Sequence, residues 1–222
     1  MSHTALQRLT AELIGSAGIT AVVLGAGHMA QQLGADSAMG LVINGLATAA
    51  ALFVLISLFA SVSGSHFNPI VTFAMLLKRQ INPFLALGYC LAQVMGAVLG
   101  AVIANAMFAR SLLGPSVVVR DGAGIYLGEI VASFGLLLVI LLLSQQEKGH
   151  IIPMAVAFWI LAGYFFTAST SFANPAVTIG RVFSDAGSSI ALESVPIFIL
   201  MQFLGALLAV SFAQLLRPKF ER

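Results

Sequence analysis

Charge is what this chain has least of. Only 8% of its 222 residues are Asp, Glu, Lys or Arg, while 59% are hydrophobic. A soluble domain carries about 25% charged residues. With a mean hydropathy of +1.03, the chain cannot clothe itself in water-facing groups. It reads as an integral membrane protein. Cysteine is nearly missing too. The single Cys90 excludes an intrachain disulfide and a cysteine metal set, and its apolar setting reads as a buried structural thiol. Net charge is small at +2, and the ten basic residues are scattered, which argues against nucleic acid as a partner. No nucleophile arrangement of Ser, His and carboxylate recurs at one depth, so an enzyme is not expected, nor is a cofactor. Arg8 precedes a long apolar run, read as a retained first span rather than a cleaved signal. No lipidation or targeting motif is evident.

Long apolar runs are what the chain does have. Spanning hydrocarbon takes ~20 apolar residues. Six segments qualify, at about 9–30, 40–62, 83–108, 124–145, 151–168 and 194–216. Two shorter apolar runs, at about 68–77 and 174–183, cannot span. Each of these begins at an Asn-Pro step: Ser63-Gly64-Ser65-His66-Phe67-Asn68-Pro69-Ile70 and Ser171-Phe172-Ala173-Asn174-Pro175-Ala176, with the two Asn 106 residues apart. Pro suits the first turn of a helix, and Asn suits the cap before it. Each motif therefore starts a short helix at membrane depth. Backbone that breaks helix at that depth survives only when buried in protein or lining a wet cavity. Short segments in matching places of two halves point to the functional site.

The halves match elsewhere. Glu12 lies early in span one, in Thr-Ala-Glu-Leu-Ile-Gly, and Glu129 early in span four, in Leu-Gly-Glu-Ile-Val-Ala. Gln93-Val94-Met95-Gly96-Ala97 in span three answers Gln202-Phe203-Leu204-Gly205-Ala206 in span six. The chain thus reads as one domain over 1–222, with a first repeat at about 1–110 and a second at about 120–222. Three spans per repeat force the second copy upside down, and the two short helices meet N-terminus to N-terminus near the midplane. Gly96 and Gly100 in span three form a small face suited to close helix packing. The positive-inside rule sets orientation. Arg8, Lys78, Arg79, Lys148, Arg217, Lys219 and Arg222 share one side, and Arg110, Arg120 and Arg181 the other. Seven against three puts both termini in the cytoplasm.

Together these residues resemble the aquaporin, or major intrinsic protein, family over essentially the whole chain. The likeness rests on the two Asn-Pro motifs, the Ser-Gly-Ser-His lead-in, the paired glutamates and the two Gln-x-x-Gly-Ala units. It implies an all-α membrane protein, with six transmembrane helices and two half-helices in an inverted repeat, wound as a right-handed bundle. It further implies one pore per subunit, a homotetramer in the cell membrane, and lipid, water and small solutes as its partners.

The central constriction is expected at Asn68, Pro69, Ile70, Asn174, Pro175 and Ala176. Two helix N-termini facing one point bar cations, and each Asn amide can donate to a passing oxygen. The plainer reading of each Asn is an N-cap without solute contact. Ile70 departs from the usual Ala and adds bulk that can narrow or dry the pore. Glu12 and Glu129 read as acceptors that hold the loops leading into the half-helices, with a proton- or ion-carrying role as the alternative. His66 either lines the pore or braces its loop.

Family spacing places an outer filter at Thr48, at Ala162 or Gly163, at Ser171 and at Val177. The family usually has Arg at the last position. Here Arg181 follows four residues later, at the outer mouth or tying down a loop. The resemblance thus implies a wide, uncharged filter. It points to a passive channel for water and small neutral solutes: glycerol, urea or undissociated metalloid acids such as arsenite. Some bacterial members with such filters are linked to arsenic compounds. The alternatives are a water-selective pore narrowed by Ile70, and an ion-coupled secondary transporter.

Overall fold

The computed structural model describes residues 3–216. Arg217, Lys219 and Arg222 of the charge count lie outside the described residues. Eight α-helices follow one another: α1 Ala5–Gln32, α2 Ser37–Ser63, α3 Pro69–Leu77, α4 Pro83–Met107, α5 Ala123–Gln145, α6 Ile152–Phe166, α7 Pro175–Gly180 and α8 Val195–Leu215. Six of the helical segments are long and apolar enough to cross a membrane, the fifth beginning with a short turn at Gly149. Their outward faces carry exposed Phe53, Leu58, Leu87, Leu91, Leu200 and Leu208. Such residues suit contact with lipid chains rather than water.

The helices start where their caps place them. Thr4 and Gln7 form a reciprocal capping box on α1. Asp36 caps α2 through the Met39 N–H, and Gly64, with φ of 87°, ends it. A third Asn-Pro step, Asn82-Pro83, caps α4 in the plain way, Asn82 accepting from the Leu85 N–H at 2.9 Å on an exposed surface. The same dipeptide is therefore only a helix start here. Burial and cross-contacts distinguish the other two.

α3 has the extent its sequence suggests. α7 is shorter than its apolar run, tightening into a 3₁₀ turn at Arg181–Phe183. The two repeats pack alike, with α1 against α4 and α5 against α8. Glycine explains how close they come. A Cβ on Gly96 would stand 2.3 Å from the Leu13 carbonyl oxygen, and one on Gly205 would stand 2.4 Å from that of Ile130. Leu13 and Ile130 directly follow the two glutamates, so both crossings repeat at the same level. Gly100 extends the first contact, its Cβ position lying 2.3 Å from the Ala17 carbonyl oxygen.

Replacing Gly96 with Ala sets a methyl against backbone that cannot step aside. The expected cost is about 1–3 kcal/mol, the usual range for overpacking. It should appear as a lower melting temperature in detergent, while Gly114→Ala, which meets nothing closer than 3.7 Å, should leave it unmoved.

Candidate functional site

Each half-helix is entered through a loop whose backbone polar groups have no helical partners. The buried glutamates supply them. Glu12 accepts from the N–H groups of His66 at 2.9 Å and Phe67 at 2.6 Å, from Ser63 Oγ at 2.6 Å and from Gln93 Nε2 at 2.8 Å. Glu129 accepts from the N–H groups of Phe172 at 2.9 Å and Ala173 at 3.0 Å, and from Gln202 Nε2 at 2.6 Å. Every neighbour donates, which matches the inventory of an ionised carboxylate. Gln93 also reaches Thr72 Oγ1, and Gln202 reaches Thr178 Oγ1, both at 3.0 Å. These threonines in turn donate to the carbonyls of Asn68 and Asn174. Glutamate, glutamine, threonine and asparagine thus form the same chain twice.

The loops are strained in the same places. Ser65 and Phe67 have φ of 50° and 49°, and Ser171 and Ala173 have 54° and 45°. Left-handed backbone costs a non-glycine residue roughly 1–2 kcal/mol. Charge-assisted hydrogen bonds from the Phe67 and Ala173 N–H groups to the glutamates help offset it, while the Ser65 and Ser171 N–H groups donate to the hydroxyls of Ser63 and Ser169.

The two asparagines tie the halves together. Asn68 Nδ2 donates to the Ala173 carbonyl at 2.7 Å, and Asn174 Nδ2 donates to the Phe67 carbonyl at 2.8 Å. Their Oδ1 atoms cap α3 and α7 through Ile70 N–H and through Ala176 and Val177 N–H. An amide nitrogen has two hydrogens. One from each Asn is spent on the opposing loop, leaving one for the space beside it.

That space is a cavity of about 390 Å³, lined by both asparagines. Its walls are mostly apolar, with Ile19, Val23, Ile56, Val71 and Val156 among them. His66 lines it and also braces its loop, its ring Nδ1 lying 3.0 Å from Thr72 Oγ1. Thr48, Ser171 and Val177 line it as well. Ile70 does not. It is fully buried in the core with Phe67, Val71 and Ala74, so its bulk does not face the cavity as the sequence suggested. Pro69, Pro175 and Ala176 are likewise buried structure outside the lining.

On α6 the wall differs from the family spacing. Ala162 faces outward and is exposed. A Cβ on Gly163 would meet Ser171 Oγ at 2.5 Å, so this glycine backs Ser171 rather than the open space. Ile160 and Tyr164 line the cavity instead. Helical geometry gives the reason: positions 160 and 164 share one face and 162 lies opposite.

A second cavity of about 320 Å³ lies between the end of α1, the start of α2 and the 187–188 loop, with Arg120 in its wall. Only Tyr164 and Arg181 line both cavities. The Tyr164 hydroxyl donates to Asn44 Oδ1 at 2.9 Å and lies 3.0 Å from Thr48 Oγ1. Arg181 is 2% exposed; its Nε–H donates to the Ser188 carbonyl, and its guanidinium lies 3.3 Å from the Phe172 ring centre. Arg181 thus touches both cavities while it holds the Ser188 segment. Arg120, which lines the second cavity, approaches the same ring at 4.8 Å and donates to the carbonyls of Ser189 and Gly187. Burial lowers its tendency to stay protonated. Sequence reasoning missed Tyr164 and Arg120. A one-residue shift along α6 would have found Tyr164; nothing local marks Arg120.

A polar thread through an apolar helical bundle, with its breaks held by buried carboxylates, defines a membrane channel. The comparisons agree. The family model described as Major intrinsic protein matches residues 1–173. Aquaglyceroporin AqpS of Rhizobium meliloti is 40% identical over 213 residues, 96% of this chain and 91% of its own. Glycerol uptake facilitator protein-like 6 of Lactiplantibacillus plantarum is 32% identical over 78% of this chain and 83% of its own. The X-ray structure of the aquaglyceroporin from Plasmodium falciparum covers 95% of both chains with a TM-score of 0.74 at 20% identity, a likeness of fold. The chain belongs to the major intrinsic protein family. It is a multi-pass membrane protein, a passive channel for water and small solutes.

Glu12→Gln replaces two acceptor lone-pair sites with donors facing N–H groups. Each stranded donor should cost about 1–3 kcal/mol. The expected result is reduced yield and melting temperature, with Glu129→Gln behaving alike. A stable Glu12→Gln protein with only its flux altered would contradict the bracing role.

Proposed function

We propose that the channel passes neutral solutes larger than water, such as glycerol, urea and undissociated metalloid acids. One observation carries this reading. Of the filter positions expected from family spacing, Thr48, Ser171 and Val177 line the cavity and all three are small, with Tyr164 beside Thr48 on the α6 wall. The direct successor of the second Asn-Pro-Ala is uncharged Val177, so no guanidinium projects from that position. The names of two relatives, an aquaglyceroporin and a glycerol uptake facilitator-like protein, point the same way.

Proton exclusion rests on the centre. A water or hydroxyl beside Asn68 and Asn174 receives one N–H from each and must donate away from them, which breaks a proton wire. Ile70 lends no support to a water-only pore, because it packs into the core. Nor do Glu12 and Glu129 support ion coupling, because their oxygens are occupied by loop and glutamine donors.

In this reading the chain is one channel domain of two inverted repeats, about 1–110 and 120–222. It sits in the plasma membrane with both termini cytoplasmic and assembles as a homotetramer, without enzymatic activity. The second cavity then opens outward.

Stopped-flow measurements on reconstituted protein test the filter. Val177→Arg should cut glycerol permeability roughly 10-fold or more, the scale of a pocket change of this size, and affect water less. Val177→Leu, which adds volume without charge, should move the same way by a smaller amount. Glycerol flux unchanged in both variants would reject position 177 as a filter.

A further inference from the structure

We infer that Arg181 and Tyr164 form a second, cationic constriction beyond the small filter positions, where a guanidinium supplied from one turn further along the chain excludes cations and orients solute oxygens. The inference rests on the channel reading and adds residues to it.

Three observations converge. First, the two cavities meet at these side chains, since Arg181 and Tyr164 alone line both. The pair therefore stands at the boundary between the two spaces. Second, Arg181 is committed on one side only. Its Nε–H is spent on the Ser188 carbonyl and its flat face lies on Phe172. Its terminal amino groups donate to no protein acceptor among the described residues. The ion pairs there involve Arg110, His28 and Asp185, so among the described residues no carboxylate forms an ion pair with Arg181. Third, Ser171 is 2% exposed and lines the first cavity, yet its Oγ has no hydrogen-bond partner. A buried hydroxyl left unpaired in a cavity wall awaits a partner from the cavity.

The residues around Arg181 fix its direction. Tyr164 is locked by Asn44 and Thr48, and Asn44 by the Val23 carbonyl at 2.7 Å. Ser188, which holds Arg181, donates its own hydroxyl to that same Val23 carbonyl at 3.0 Å. Both walls of the constriction are therefore tied to one point on α1. A fixed, unpaired guanidinium repels a cation and donates to acceptor oxygens. The favoured solute class is neutral and oxygen-bearing: polyols and undissociated oxyacids.

Guanidinium and water permeabilities of proteoliposomes test this. Arg181→Met keeps bulk and removes charge. Its guanidinium permeability, normalised to water, should rise at least about tenfold over wild type, as expected when a nearby unit charge is removed from a poorly screened site. A folded variant with the wild-type ratio would overturn the inference, because a residue that only pins the Ser188 loop would not change charge selection. Tyr164→Cys gives an independent readout. An externally added thiol reagent should block its water flux and spare wild type, whose only cysteine is Cys90 on α4. A folded Tyr164→Cys that stays open after reaction overturns the inference, and it decides alone if Arg181→Met does not fold. Wild-type vesicles no more permeable to water than empty ones would reject the channel reading, and this inference with it.

Discussion

Backbone polar groups cannot go unpaired where there is no water to take them, and the rest of this structure follows from how that constraint is met. Two loops break the helical ladder at membrane depth. Their free N–H groups at His66, Phe67, Phe172 and Ala173 find Glu12 and Glu129, both fully buried. The carboxylates are costly to bury alone. Surrounded by donors, they become the groups that make strained backbone at Phe67 and Ala173 tolerable. The asparagines then close the arrangement by bonding across to the opposite loop, so neither half-helix is positioned without the other.

Much of this was legible in the sequence, for physical reasons. The six spans stand out because hydropathy over ~20 residues is a strong signal. The paired glutamates stand out because charge is so scarce in this chain. Gly96 and Gly205 were visible as a repeated unit, and the structure gives their reason: each admits a carbonyl next to a bracing glutamate. The glutamines of that unit proved as important, since each links its glutamate to the threonine four residues beyond an asparagine. Nothing in a single residue type announces that role.

What the sequence did not reveal lies in side-chain direction. Ile70 occupies a signature position yet points into the core, because α3 turns that face inward to pack. The α6 wall differs by one or two positions, and helical rotation makes such a shift the difference between lining a cavity and facing outward, as Tyr164 and Ala162 illustrate. Arg181 is the largest case. Chain position removes it from the expected filter, but a 3₁₀ turn, the Ser188 carbonyl and the Phe172 ring set its side chain in the walls of both cavities. The wall of the first cavity thus includes both small Thr48, Ser171 and Val177 and the Arg181 side chain.

The central claim is passive conduction of small neutral solutes through one continuous path. The most direct measurement is glycerol uptake into proteoliposomes containing the wild-type protein, followed over a wide concentration range with and without imposed proton and sodium gradients. Uptake should rise linearly with the glycerol gradient, without saturation, and be indifferent to ion gradients. Saturable uptake that depends on an ion gradient would contradict the account.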